Sequence, residues 1–171
     1  MTVDPCGWRH QPAHGDSISV NGCCLTIAGS PFEFDVIRQT LEVTALGRLA
    51  VGDRINLEHP VTPTTMLGGH IVQGHVDGVA LVSSVIADQT QWRLRITPPT
   101  RLMEEIVEKG SIAVSGVSLT VAATGADWFE ATLIPTTLEL TNLGILKVGD
   151  AVNLETDYIA KVVVNYLRRR G

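Results

Sequence analysis

The chain lacks any apolar run near the roughly 18 residues that a membrane-crossing helix requires, so no transmembrane span is expected. Its first 15 residues contain no apolar core of the signal-peptide kind, and a cytoplasmic location is the expectation. Basic residues are not in excess: 13 Lys and Arg stand against 18 Asp and Glu, a net charge of −5, which excludes the basic footprint of a nucleic-acid binder. The one basic run, Arg168-Arg169-Arg170, reads as a solvated helix end. Only three cysteines occur, two of them adjacent, which does not suit a disulfide framework. Charged residues are 18% and apolar residues 44%, so a packed core is expected rather than disorder. Glycine pairs occur, but none between a strand and a helix in the dinucleotide-binding manner.

What the chain does contain is itself, twice. Residues 17–27 read SISVNGCCLTI and residues 111–121 read SIAVSGVSLTV. Residues 32–58 (FEFDVIRQTLEVTALGRLAVGDRINLE) and 129–155 (FEATLIPTTLELTNLGILKVGDAVNLE) agree at 16 of 27 positions. The copies lie 94 residues apart at the first block and 97 at the second, too long a period for a solenoid unit and suited to a duplicated small domain.

Each copy reads mainly as strands. Ile18 and Val20 alternate with polar residues up to the tight-turn pair Asn21-Gly22. Phe32, Phe34 and Val36 alternate likewise, residues 40–47 form a helical turn ending at Gly47, and 54–58 is a strand. Between the copies, 79–86 and 92–97 are strand-like, and a helix is predicted over 101–109, capped by Thr100 and ended by Gly110, with Leu102, Ile106 and Val107 on its apolar face. Short regular strands with small helices imply antiparallel barrels. Ile159, Val162, Val163 and Tyr166 then mark an amphipathic C-terminal helix, capped by Asp157, whose stripe needs cover from its own barrel or an oligomer axis. Residues 1–16 show no strand period, so the first barrel is expected to be short of one or two strands, one wall coming from these residues in an irregular path or from another chain. The expected architecture is all-β: two tandem antiparallel barrels, the first shortened, in residues 1–67 and 68–156, with a helix in 157–171.

Several residues could carry chemistry. Cys24 follows the Asn-Gly turn and corresponds to Ser118; it is a nucleophile if its pKa is lowered, or else a small buried hydrophobe. Ser17 and Ser111 begin matching strands and on their own are ordinary strand-end serines. His70 and His75 lie in GGHIVQGHVDG, whose glycines allow the backbone to approach a ligand closely. They suit acid–base work near neutral pH or plain loop hydrogen bonding. Zinc held by Cys23, Cys24, His70 and His75 is disfavoured, because neither spacing matches a known ligand pattern.

The segments SISVNGCCLTI, LGGHIVQGHVDG, SIAVSGVSLTV, FEATLIPTTLELTNLG and VGDAVNLETD resemble the riboflavin synthase family, which includes the non-catalytic lumazine proteins. The resemblance implies two Greek-key barrels, a C-terminal helix that helps assemble a homotrimer, and sites formed where barrels of different subunits meet. It implies dismutation of two 6,7-dimethyl-8-ribityllumazine molecules to riboflavin and 5-amino-6-ribitylaminouracil, with no cofactor and no metal. By the same resemblance Ser17, Cys24, His70 and His75 are the reactive polar residues of the first-barrel site, and Asp157 is the acid after the last strand. Ring binding falls to Cys24, Leu25, Thr26, Asp35, Arg38 and Thr40 in the first barrel. In the second it falls to Gly74, His75, Val76, Lys109, Ser118, Leu119, Thr120, Thr132, Ile134, Pro135 and Thr137. Two departures stand out: no match in residues 1–16 to the family's opening FTG strand, and Ser115 where Asp is usual. Three readings follow: the synthase, a paralogue acting on another pteridine-like substrate, or a lumazine or flavin carrier without turnover. In each, the second barrel's pocket is expected to be pre-formed.

Overall fold

A computed structural model describes residues 1–29, 32–87 and 91–171. In the first half, β1 (Ser17–Val20) pairs with β2 (Cys23–Thr26) on one side and β3 (Leu57–Glu58) on the other, giving an open sheet. In the second half, β4 (Gly78–Ala87), β5 (Trp92–Thr97), β6 (Ser111–Val114), β7 (Val117–Thr124), β8 (Phe129–Leu133) and β9 (Ala151–Thr156) close into a barrel. Its order, β4-β5-β8-β7-β6-β9, places strands distant in sequence side by side, as in a Greek key. Short helices α1 (Arg38–Val43) and α2 (Pro135–Leu140) occupy equivalent places, and α3 (Tyr158–Arg168) follows the barrel. Among the described residues no helix is long and apolar enough to cross a membrane.

Strand alternation builds the two cores. Ile18, Val20, Leu25, Ile27 and Phe34 turn inward in the first half; Leu94, Ile96, Ile112, Val121, Phe129 and Leu154 do so in the second. Burying such a side chain contributes roughly 1.5–3 kcal/mol, so the closed barrel, with the larger cluster, dominates stability.

Residues 1–16 follow the irregular path expected of them and pair locally with the first sheet. Thr2 bridges Glu33 as Arg95 pairs with Glu130. Trp8 N–H donates to Pro5 as Leu102 N–H does to Pro99, and Gly15 N–H to Ile27 as Lys109 N–H does to Val121. This segment is therefore the counterpart of residues 95–110, repeated in backbone bonding but in side chains only at Pro5, the place of Pro99. Among the described residues the places of β4, β5 and β8 have no strand in the first half; those of β5 and β8 are marked only by isolated bridges at Thr2, Glu33 and Phe34.

Two elements are shorter than predicted. The helix over 101–109 is a 3₁₀ segment, Thr100–Glu105, entered from Pro99 with no side-chain cap. Lys109 adopts φ 63° in the turn that follows, so Gly110 does not end a helix. In 54–58 only Leu57 and Glu58 join the ladder, and Asn56 before them is bonded across to Asn21 and Asn142.

The halves meet about a pseudo-twofold axis. Asn21-Gly22 and Ser115-Gly116, all at positive φ, form matching turns that abut head to head. A Cβ on Gly22 would lie 2.5 Å from the Gly116 nitrogen, so no side chain fits between them. Ser115, 5% exposed, belongs to this contact. Around the turns, Asn153 Oδ1 accepts from Ala45 N (2.6 Å) and its Nδ2 donates to Asn21 O (2.8 Å). Asn56 repeats both bonds with Asn142 N (2.8 Å) and Ser115 O (2.9 Å).

As expected, Asp157 caps α3, its Oδ1 accepting from Ile159 N and Ala160 N. Lys161 Nζ reaches Asp77 at 2.6 Å and Arg168 reaches Glu104 at 2.7 Å, tying the helix to the barrel. The apolar stripe is not what the helix buries: Ile159, Val162, Val163 and Tyr166 are each at least half exposed.

Candidate functional site

Alternation along β2 and β7 creates two equivalent outer faces. On β2, Cys23 and Leu25 point inward while Cys24 and Thr26 are exposed; Ser17 lies opposite Thr26 and Ser19 opposite Cys24. On β7, Leu119 points inward while Ser118 and Thr120 are exposed, beside Thr132 on β8. Leu25 and Leu119 therefore offer a ligand only their backbone. The adjacent thiols face opposite ways, so Cys23 and Cys24 cannot converge on one ion. Among the described residues no three or more His, Cys, Asp or Glu gather in a metal-holding group. Burial, helped by Cys24, pushes the Cys23 thiol up to about 11.

One segment joins the two faces. A Cβ on Gly69 would lie 3.0 Å from Ser118 Oγ, and His70 Nδ1 is hydrogen-bonded to that hydroxyl at 2.9 Å. Four residues on, Gly74 O accepts from Cys24 N at 2.9 Å. A Cβ on Gly74 would come within 2.7 Å of Cys24 Cβ, and Gly74 has φ 77°, so glycine is required there on both counts. His75 follows, exposed, and Val76 packs on the first core. The string 69–75 thus spans from one face to the other.

Burial holds the His70 pKa below the ordinary histidine range, while the charges of Asp157 and then Glu155 oppose that shift. His70, Ser118 and Asp157 therefore share one electrostatic neighbourhood in the second half, and Cys24, Gly74 and His75 adjoin at the first. Other expected ligand contacts lie apart from these. Arg38 is solvent-exposed and paired with Glu42 at 2.7 Å, Asp35 is exposed, and the Thr40 and Thr137 carbonyls accept from Thr44 and Thr141 at the ends of α1 and α2. Lys109, Thr132, Ile134 and Pro135 are all exposed, so in the single chain the second site is an open face.

Two residues of the site were not singled out from sequence. Glu155 is 4% exposed, and its carboxylate accepts from Gln73 N (2.7 Å), Gly74 N (2.9 Å) and His75 N (3.1 Å). Asp77 accepts from Thr156 N and Oγ1 and pairs with Lys161. The available signal was Glu155 itself, an acid at the end of a repeated strand whose copy, Glu58, is exposed.

Two concavities adjoin these residues. One of about 600 Å³ runs between α3 and the barrel past Glu105, Ser111, Asp157 and Val163. The other, about 430 Å³, lies between the halves along Ser19, Asn56, Glu58 and Ser118.

Comparison with known proteins gives a consistent result. The family model "Lumazine binding domain" matches residues 6–60 and again 73–157. The riboflavin synthase of Mycobacterium tuberculosis (strain ATCC 25618 / H37Rv) is 47% identical over 165 residues, covering 92% of this chain and 82% of that protein. The riboflavin synthase of Escherichia coli (strain K12) is 37% identical over 159 residues, covering 91% of this chain and 75% of that protein. Among solved structures, LumP complexed with riboflavin aligns at TM-score 0.76 with 33% identity, covering 85% of this chain and 80% of that one. LumP complexed with 6,7-dimethyl-8-(1'-D-ribityl) lumazine aligns at 0.74 with 30% identity, covering 85% and 79%.

Proposed function

The chain belongs to the riboflavin synthase family, carrying its lumazine-binding domain twice, and from that premise we propose that it is a cytoplasmic riboflavin synthase. It takes two molecules of 6,7-dimethyl-8-ribityllumazine and transfers a four-carbon unit from one to the other, releasing riboflavin and 5-amino-6-ribitylaminouracil. The binding modules are residues 1–67 and 68–156, with 157–171 as the assembly helix. The observation that carries this reading is the segment 69–75, which touches Ser118 on one face through His70 and Cys24 on the other through Gly74.

The residues divide the work as follows. Cys24 or a water beside it attacks the donor at its electron-poor C7. His75, next to Gly74, and Ser17, two strand positions from Ser19, carry protons at that face. His70, mainly neutral near pH 7 because burial lowers its pKa, can accept a proton from the C7 methyl of the acceptor, and Asp157 stabilises the imidazolium that forms. The ring faces are Cys24, Leu25, Thr26, Asp35, Arg38 and Thr40 on one side. On the other they are Gly74, His75, Val76, Lys109, Ser118, Leu119, Thr120, Thr132, Ile134, Pro135 and Thr137. Both faces are open in a single chain, and stacking two rings requires a second wall, so the working unit is a homotrimer assembled along the exposed stripe of α3.

The test is direct: purified protein is given the ribityllumazine, and riboflavin is followed by absorbance and fluorescence, with the oligomer mass taken by light scattering. Riboflavin at half the molar yield of lumazine consumed supports the reading. Tight lumazine binding without riboflavin favours a carrier, the alternative that the likeness to LumP and the open first sheet support. Turnover of a different pteridine-like compound favours a paralogue.

A further inference from the structure

The set of residues implied by resemblance omits the group on which the segment 69–75 depends. Glu155 lies on β9, its carboxylate buried, and spends its two oxygens on three consecutive backbone N–H groups, those of Gln73, Gly74 and His75. Such charge-assisted bonds are about twice as strong as neutral ones, and a carboxylate is the only side chain that offers acceptors alone. The same three residues lead directly to the Cys24 contact, since Gly74 O takes the Cys24 N–H and leaves no space for a Cβ. Glu155 comes from the second barrel and Cys24 from the first half, so this is a strut across the molecule. Its copy, Glu58, is exposed, so the buried acid is not a general feature of the repeated strand.

We propose that Glu155 is a positioning residue that sets the distance between His75 and Cys24, acting on the reaction through the backbone of Gln73, Gly74 and His75 without touching substrate. The proposal rests on the synthase reading for its kinetic arm only. In Glu155→Gln the shape is kept, but one oxygen becomes an NH₂ that faces N–H donors. The segment then shifts by a fraction of an ångström to an ångström, enough to cost about 100-fold in a step that needs aligned groups.

Two measurements decide the matter. In the lumazine assay, E155Q is expected to lower kcat about 100-fold with KM changed less than about 3-fold. In amide hydrogen exchange by NMR, the amides of Gln73, Gly74, His75 and Cys24 are expected to lose at least about 10-fold in protection, while Ile112, Val114 and Leu154 keep theirs. Gly74→Ala, which pushes the segment off Cys24 and leaves Glu155 intact, is expected to reproduce the kcat loss and serves if E155Q does not fold. An E155Q enzyme of full kcat overturns the proposal, and so does loss of protection spread evenly through the barrel. Wild-type protein that makes no riboflavin overturns the synthase reading instead. The exchange pattern then stands alone: local loss supports the strut, and unchanged protection of all four amides refutes it.

Discussion

Asn56 and Asn153 hold the two halves together by the same pair of bonds made in opposite directions. Each amide oxygen accepts the N–H that opens a 3₁₀ turn in the other half, and each amide nitrogen donates to the carbonyl of the other half's hairpin turn. The two differ in setting: Asn153 is 1% exposed, whereas Asn56 is partly exposed.

That difference predicts unequal costs. Asn153→Ala leaves the Ala45 N–H and Asn21 carbonyl without partners away from water and is expected to cost about 2–4 kcal/mol. Asn56→Ala leaves the equivalent groups within reach of solvent and should cost about 1 kcal/mol. Urea unfolding of both variants gives the comparison, and equal losses would contradict it.

The thiols should separate by face. At pH 8 a disulfide reagent is expected to label Cys6 and Cys24 in the native protein and to spare Cys23, which appears only after unfolding. Because the folded Cys23 pKa is raised to about 11 from 9.0, its contribution is intact below pH 9 and is lost as pH rises towards 11, a fall of roughly 2–3 kcal/mol. Cys23→Ala should flatten that limb of the stability profile.

His70 predicts the opposite limb. Its folded pKa lies below the ordinary histidine value, so the neutral ring is favoured in the native state. Its contribution is present above the unfolded pKa, about 6.5, and is lost as pH falls through the folded value. His70→Gln should make stability less sensitive to acid in that window, and lumazine binding should weaken below it in the wild type but less in the variant, as read by fluorescence titration.

The stripe of α3 predicts an assembly phenotype without a folding one. Val163 is half exposed in the single chain, so Val163→Glu should change its melting stability by less than about 0.5 kcal/mol. If the stripe is the oligomer contact, the same change should convert a trimer mass to a monomer mass by light scattering and remove activity with it.

The fold was largely legible because its signals are local. Alternation at Ile18–Val20 and the Asn-Gly turn gave the first hairpin, the direct repeat gave the second, and the cap at Asp157 gave α3. The errors lie where bonding is between backbone atoms or distant parts. Residues 1–16 repeat residues 95–110 through carbonyl and N–H positions, and only Pro5, at the place of Pro99, marks the repeat in side-chain type. Leu102, Ile106 and Val107 have helical spacing, yet Val107 is exposed and the segment after Pro98-Pro99 is a 3₁₀ turn. The nearness of His70 to Ser118 was not legible from spacing, since 48 residues separate them. Glu155 was hidden because its partners are three main-chain groups some 80 residues earlier, and a backbone N–H has no letter of its own.

The contact of Gly22 with Gly116 has one more consequence. With each turn resting on its own copy, and Asn56 and Asn153 exchanging equivalent bonds, the central contacts of this junction repeat about one axis. That is the definition of an isologous interface, and here it lies within one polypeptide. At this junction the two halves meet as the protomers of a twofold homodimer do, though the halves themselves are an open sheet and a closed barrel. A single half therefore already carries a self-complementary surface, and the closed second barrel, expressed alone, would be expected to pair Gly116 against the Gly116 of another molecule and form a symmetric dimer.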